Sequence, residues 1–251
     1  MKASGLSRQN NRTGGTTMLY LRSDEISSLA AQTIQKYREY IGVDWELFKV
    51  NPITMAEMWG LDVKFVDLGE DSDIMGFTAF NDMDITLTDA NQSDVTLELS
   101  GRTIVINEAL TRGCAGRLNF TIAHEIAHHI IDIVCGANYS VKFRLLPHFE
   151  KANNRYSLDY DEYMANQLAA ALLMPDAFVE KVFDSLFGVK RIDRIHSILD
   201  KMIFKKFCAM AALFGVSKSA LAIRLQKKGL LGEYIFAGYE SLLDIFPDTA
   251  A

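Results

Sequence analysis

One stretch constrains the whole chain: Asn119-Phe120-Thr121-Ile122-Ala123-His124-Glu125-Ile126-Ala127-His128-His129-Ile130-Ile131. Leu118, Ile122, Ile126 and Ile130 recur every four residues, Ala123, Ala127 and Ile131 widen the stripe, and no Gly or Pro interrupts it. That period predicts a buried helix, with Asn119 as its N-cap. Within the helix lies His-Glu-x-x-His. Residues four apart on a helix share one face, one turn apart. The imidazoles of His124 and His128 can therefore share a zinc ion, while Glu125 reaches a water on that metal rather than the metal itself. The small side chains of Ala123 and Ala127 leave room for a neighbouring element beside the site. The competing reading is a helix with two solvated or core histidines.

A catalytic zinc takes three protein ligands and keeps one open position, so the chain must supply a third donor. Glu162 is the strongest candidate. It lies in Ser157-Leu158-Asp159-Tyr160-Asp161-Glu162-Tyr163-Met164-Ala165-Asn166-Gln167-Leu168-Ala169-Ala170-Ala171-Leu172-Leu173-Met174-Pro175, an Ala- and Leu-rich run with strong helix propensity that Pro175 stops. Asn166 stands one turn from Glu162 on the same face, where it can orient a ligand histidine through the free ring nitrogen. Asp161 is one position off that face, and Asp159 and His148 are weaker rivals. A donor to a tetrahedral oxyanion is also required, and Tyr156, Tyr160, Tyr163, His129 and His148 all stand near enough in sequence to be candidates.

Composition narrows the class. A chain of 251 residues with 49% hydrophobic and 23% charged residues has the make-up of a globular protein with a real core. Its net charge of −6 argues against a protein that works by coating nucleic acid. Cys114, Cys135 and Cys208 are far apart and odd in number, which fits reduced thiols and no structural zinc pair. No run is long and apolar enough to span a membrane, and the N-terminus is polar rather than signal-like. The expected location is cytoplasmic.

Three regions are expected. Residues 1–17 are Gly-, Ser-, Thr- and Asn-rich and predict a disordered tail, with the patterned chain beginning at Met18. Residues 18–187 form the main domain. A helix capped by Ser23 and ended by Gly42 opens it, followed by a short helix from Pro52 to Trp59 closed by Gly60. A change to period two then marks strands at Val63–Val66, Gly76–Phe80, Asp84–Thr88, Val95–Leu99 and Thr103–Ile106, a small, largely antiparallel sheet before the histidine helix. Residues 188–251 are expected to be helical, including a helix from Arg191 to Phe207. There, Ala211 to Ser217 followed by Ser219 to Lys228 predicts a helix-turn-helix, with Gly215 making the turn and Ser217 capping the second helix.

The pairing of Asn119–His129 with Glu162–Pro175 resembles the ImmA/IrrE metallopeptidases. The second motif is the more specific, since His-Glu-x-x-His alone is common to many zinc peptidases. The resemblance covers about residues 18 to 230. It implies an α+β, mainly helical, gluzincin-like fold that holds one zinc per chain through His124, His128 and Glu162, with Glu125 catalytic. It also implies that the protein substrate is a helix-turn-helix repressor. Two positions depart from the family pattern: Asn119 stands where Arg is frequent, and Ala127 where Gly is common. A DNA-binding regulator is the first rival, resting on Lys218, Arg224, Lys227 and Lys228 as phosphate contacts. The second is a peptidase-like, metal-dependent sensor with little proteolysis. Against the first, the acidic charge makes nucleic acid an unexpected direct partner.

Overall fold

The computed structural model describes residues 21–43, 49–69, 74–88, 93–135, 141–145, 160–197 and 200–235, with Ser72 and Asn91 besides. The expected tail, residues 1–17, lies outside these. Two helices come first, α1 (Ser23–Ile41) and α2 (Pro52–Met58). Strands β1 (Asp62–Val66), β2 (Ile74–Ala79), β3 (Met83–Thr88), β4 (Asp94–Leu99) and β5 (Thr103–Asn107) follow, then a 3-10 turn and the long helix α3 (Ala115–Cys135). After β6 (Val141–Leu145) come α4 (Tyr160–Leu173), α5 (Asp176–Phe187), β7 (Ile192–His196), α6 (Lys201–Phe214), α7 (Lys218–Lys227) and β8 (Leu231–Ile235).

The main sheet has the order β1-β5-β2-β6. β5 runs parallel to β1 and antiparallel to β2, and β2 is antiparallel to β6. β3 and β4 form a separate hairpin. β5 is buried from end to end because it has cover on both faces. Ile104 and Ile106 join the large core with α3 and α4, whereas Val105 joins Phe77, Ala79 and Leu99 under Met83, Ile85, Leu87 and Leu97 of the hairpin. That alternation is the period of two expressed as two cores, one on each side of the sheet. α3 lies on the helical side, and its residues Thr121 to Ile131 are all buried. The α+β, mainly helical architecture is the expected one.

Three local expectations are corrected. α1 begins at Ser23, so its cap is Arg22, whose backbone N–H donates to Glu25 Oε2 at 2.8 Å. α3 begins four residues before Asn119, which is therefore no cap; its side-chain amide donates to the carbonyl of Gly215 at 2.8 Å. Ile192–His196 is a strand rather than the start of a helix. It pairs in parallel with β8, with α6 and α7 as the crossover between the two strands. The large core includes residues on both sides of position 187, from Phe183 to Ile195 and Phe207.

The helix-turn-helix does form. Gly215 ends α6 at φ +65°, Ser217 caps α7 by accepting from the Ala220 amide, and the two helices are bent by 99°. Its turn rests on α3 at Gly116, where a Cβ would collide with the backbone of Val216 and Ser217. Among the described residues, no single helix is long and apolar enough to cross a membrane.

Candidate metal centre

α3 and α4 are the most intimately packed helix pair, with Ile122, Ala123, Ile126, Ala127 and Ile130 of one and Met164, Ala165, Leu168, Ala169 and Leu172 of the other all in one core. Small residues at Ala123, Ala127, Ala165 and Ala169 let the two backbones approach. One end of this contact is polar. There His124 Nε2 lies 3.1 Å from Glu162 Oε2, His128 Nε2 lies 3.0 Å from Glu162 Oε1, and the two Nε2 atoms are 3.0 Å apart. Both histidines are buried, and the Glu162 side chain is 25% exposed.

These donors form a group that could hold a metal ion. Three neutral-nitrogen and carboxylate donors suit a divalent cation, and tetrahedral ligands at about 2.0–2.1 Å from zinc stand about 3.3 Å from each other. The spacing seen needs only slight opening to reach that. Burial opposes the charge on Glu162, but hydrogen bonds from His124 and His128 outweigh it and hold the carboxyl well below its usual range. Its two oxygens are thus unprotonated acceptors facing the imidazoles.

Two further groups set the orientation. Asn166 Oδ1 lies 3.2 Å from His124 Nδ1. With a metal bound, a proton on Nδ1 would make that hydrogen bond and turn the Nε2 lone pair towards the cation. Glu125 is fully buried, and its Oε2 accepts a 2.9 Å hydrogen bond from the Thr78 hydroxyl on β2. Sequence reasoning missed Thr78. In the run Gly76 to Phe80 a threonine is an ordinary strand residue, and only the packing of β2 on α3 reveals its partner.

The rival donors fall elsewhere. Asp161 is buried away from the cluster and acts instead on Cys135, whose thiol is pushed up to about 11 by burial and by Asp161, Asp132 and Glu25. Asp159, His148 and Tyr156 lie outside the described residues. His129 is buried and stacks on Phe80, with ring centroids 6.0 Å apart. Burial and Arg102 lower its pKa, against the opposing pull of Asp132. Tyr160 and Tyr163 pack on one another beside Glu162 and remain partly exposed.

Three cations at the C-terminal end of α7 are engaged within the fold. Arg224, whose side chain is 10% exposed, donates to the Met174 carbonyl and to Asp176 at 2.7 Å. Lys228 pairs with Asp176 at 3.0 Å and with Glu180 at 2.8 Å. Lys227 sits over the Tyr163 ring, 5.5 Å from its centroid.

A family model described as the IrrE N-terminal-like domain matches residues 76–226, and no curated protein matches the chain. The match begins in β2, two residues before the threonine that holds Glu125, and ends in the second helix of the helix-turn-helix. It thus takes in both helices that carry the donor cluster, and this chain belongs to the IrrE N-terminal-like family of metallopeptidases.

Proposed function

We propose that this metallopeptidase is a zinc-dependent endopeptidase whose substrate is a helix-turn-helix transcriptional repressor, with His124, His128 and Glu162 as ligands and Glu125 as general base. The observation that carries the reading is the meeting of three donor side chains at one point, with the Glu125 carboxylate buried on the same helix and fixed by Thr78. The repressor rests on the resemblance to ImmA/IrrE peptidases.

A zinc ion held by His124, His128 and Glu162 would supply the Lewis acidity that water activation and carbonyl polarisation need. The protein's own residues do the rest. Glu125 accepts the proton of the attacking water and returns it to the leaving amine. Thr78 holds that carboxylate in one rotamer, which keeps the proton acceptor in place. Asn166 fixes the ring of His124, and Glu162 bridges the two imidazoles.

Direct action on DNA is disfavoured in this reading. Arg224 and Lys228 are tied to Asp176 and Glu180, and the net charge is −6. The test is incubation of the purified, zinc-loaded protein with a candidate repressor, with and without chelator. Chelator-sensitive cleavage at a defined bond supports the proposal. Metal-dependent relief of repression with the repressor left intact would replace it with a sensor.

A further inference from the structure

The groove between α3 and α4 opens into a cavity of about 410 Å³ that begins one turn from the metal donors. Thr121 precedes His124 by a turn, and Asn166, which touches His124, lies a turn beyond Glu162; both line the cavity. Its apolar walls are Met75 from β2, Phe120 from α3, Ala170 from α4, and Ala220 and Ile223 from α7, and Arg117, Arg224 and Lys227 line it as cations. The small Ala170 and Ala220 create the space. The volume lies in the ordinary range for a site that buries a ligand. A second cavity of about 400 Å³ shares Gln167, Arg224 and Lys227 with the first.

Lys227 stands where the two cavities meet. Its neighbours on α7, Arg224 and Lys228, each have an acid, but among the described residues none pairs with Lys227. Burial and the charge of Arg224 both work against its ammonium group, lowering its pKa. It is a cation held over a tyrosine ring at the mouth of an apolar cavity, lacking an anion.

We propose that this cavity is a substrate subsite, taking a large apolar side chain of the protein substrate while Lys227 pairs with an acidic residue beside it. The proposal rests on the peptidase reading and adds a specificity to it. It also gives α7 a role: the second helix of the helix-turn-helix is a wall of the peptide cleft. Complementarity selects the occupant, since an apolar body flanked by a carboxylate fills the walls and meets the cations there, Lys227 and Arg117, neither of which has an acid among the described residues.

The test uses the full chain loaded with zinc and three fluorescein-labelled decapeptides with Gly-Ser flanks. Their centres are Glu-Leu-Phe-Glu, Lys-Leu-Phe-Lys and Glu-Ala-Ala-Glu. Binding is read by anisotropy and cleavage by mass spectrometry. The first peptide should bind about fivefold more tightly than the second, the size of one partly exposed ion pair, and more tightly than the third. Lys227→Glu should invert the order of the first two. Ile223→Asn should remove the advantage of Leu-Phe over Ala-Ala; both substitutions are at exposed positions and leave the core intact. Equal binding of the acidic and basic peptides, or an order unchanged in Lys227→Glu, overturns the subsite. So does displacement of the dye-labelled peptides by decanoate without discrimination among them, which would make a small amphiphile the occupant. The charge preference without cleavage at any bond would strike the peptidase reading alone, whereas cleavage without the preference would strike the subsite alone.

Discussion

The hydroxyl of Thr78 donates to Oε2 of Glu125 across 2.9 Å, tying the second strand of the sheet to the acid that follows the first histidine of the donor cluster. Thr78 is itself fully buried, so water does not replace it as a donor from the sheet side. Thr78→Val keeps the shape and removes the hydroxyl. A hydrogen bond to a charged group contributes about 1.5–3 kcal/mol, so turnover should fall about 10- to 100-fold. Zinc content, measured by atomic absorption, should not change. Loss of zinc along with turnover would mean that Thr78 supports the metal cluster rather than the base.

Glu125 and His128 should separate chemistry from binding. Glu125→Gln removes the proton acceptor and preserves the three converging donors, so it should keep its zinc while cleavage falls at least ~10²–10⁴-fold. His128→Ala removes one of three donors that lie 3.0 to 3.1 Å apart, and should lose zinc and cleavage together. Near-normal cleavage by the glutamine variant would exclude Glu125 as the base.

The contrast between what local spacing reveals and what it hides runs through this site. His124 and His128 are legible because a helix fixes their separation by itself. Glu162 is 34 residues beyond His128; it is legible only because Asn166 repeats the helical spacing on a second run. Thr78 has no such signal, since its partner is chosen by how β2 packs on α3. Asn119 reads as a cap because asparagine is a favoured N-cap residue and stands at the head of the apolar stripe. The helix nevertheless extends back to Ala115, where Gly116 and Asn119 meet the turn at Gly215 and Val216. Ile192–His196 was misread for the same reason as Thr78: its strand partner begins at Leu231, far along the chain, and local propensity gives no hint of it.

Asp161 provides a check on which acid of α4 belongs to the proposed ligand set. Its charge contributes, after burial, to the thiol pKa of Cys135, pushed up to about 11. Thiolate is the reactive form. Cys135 should therefore alkylate with iodoacetamide at pH 8 more slowly than an ordinary thiol, with the rate rising until the pH passes that value. Asp161→Asn should speed the reaction at pH 8 while leaving zinc bound. If it released the zinc instead, Asp161 would belong to the ligand set.

The contact of the helix-turn-helix with α3 gives a prediction in which two effects oppose one another. Gly116 is the second residue of α3, and helix propensity alone favours Gly116→Ala there by at most about 0.5–1 kcal/mol. Yet a Cβ at this position runs into the backbone of Val216 and Ser217, which has no rotamer to yield. Overpacking of this kind costs about 1–3 kcal/mol, so the net change should be a loss of stability, seen as a lower midpoint in urea. Asn119→Ala removes the amide donor to Gly215 and should cost about 0.5–1.5 kcal/mol by itself. Both residues hold the same turn, so the double variant should lose less than the sum of the two. A Gly116→Ala protein more stable than the parent would show that propensity wins, that the turn stands off from α3, and that α7 cannot form a fixed wall of the cleft.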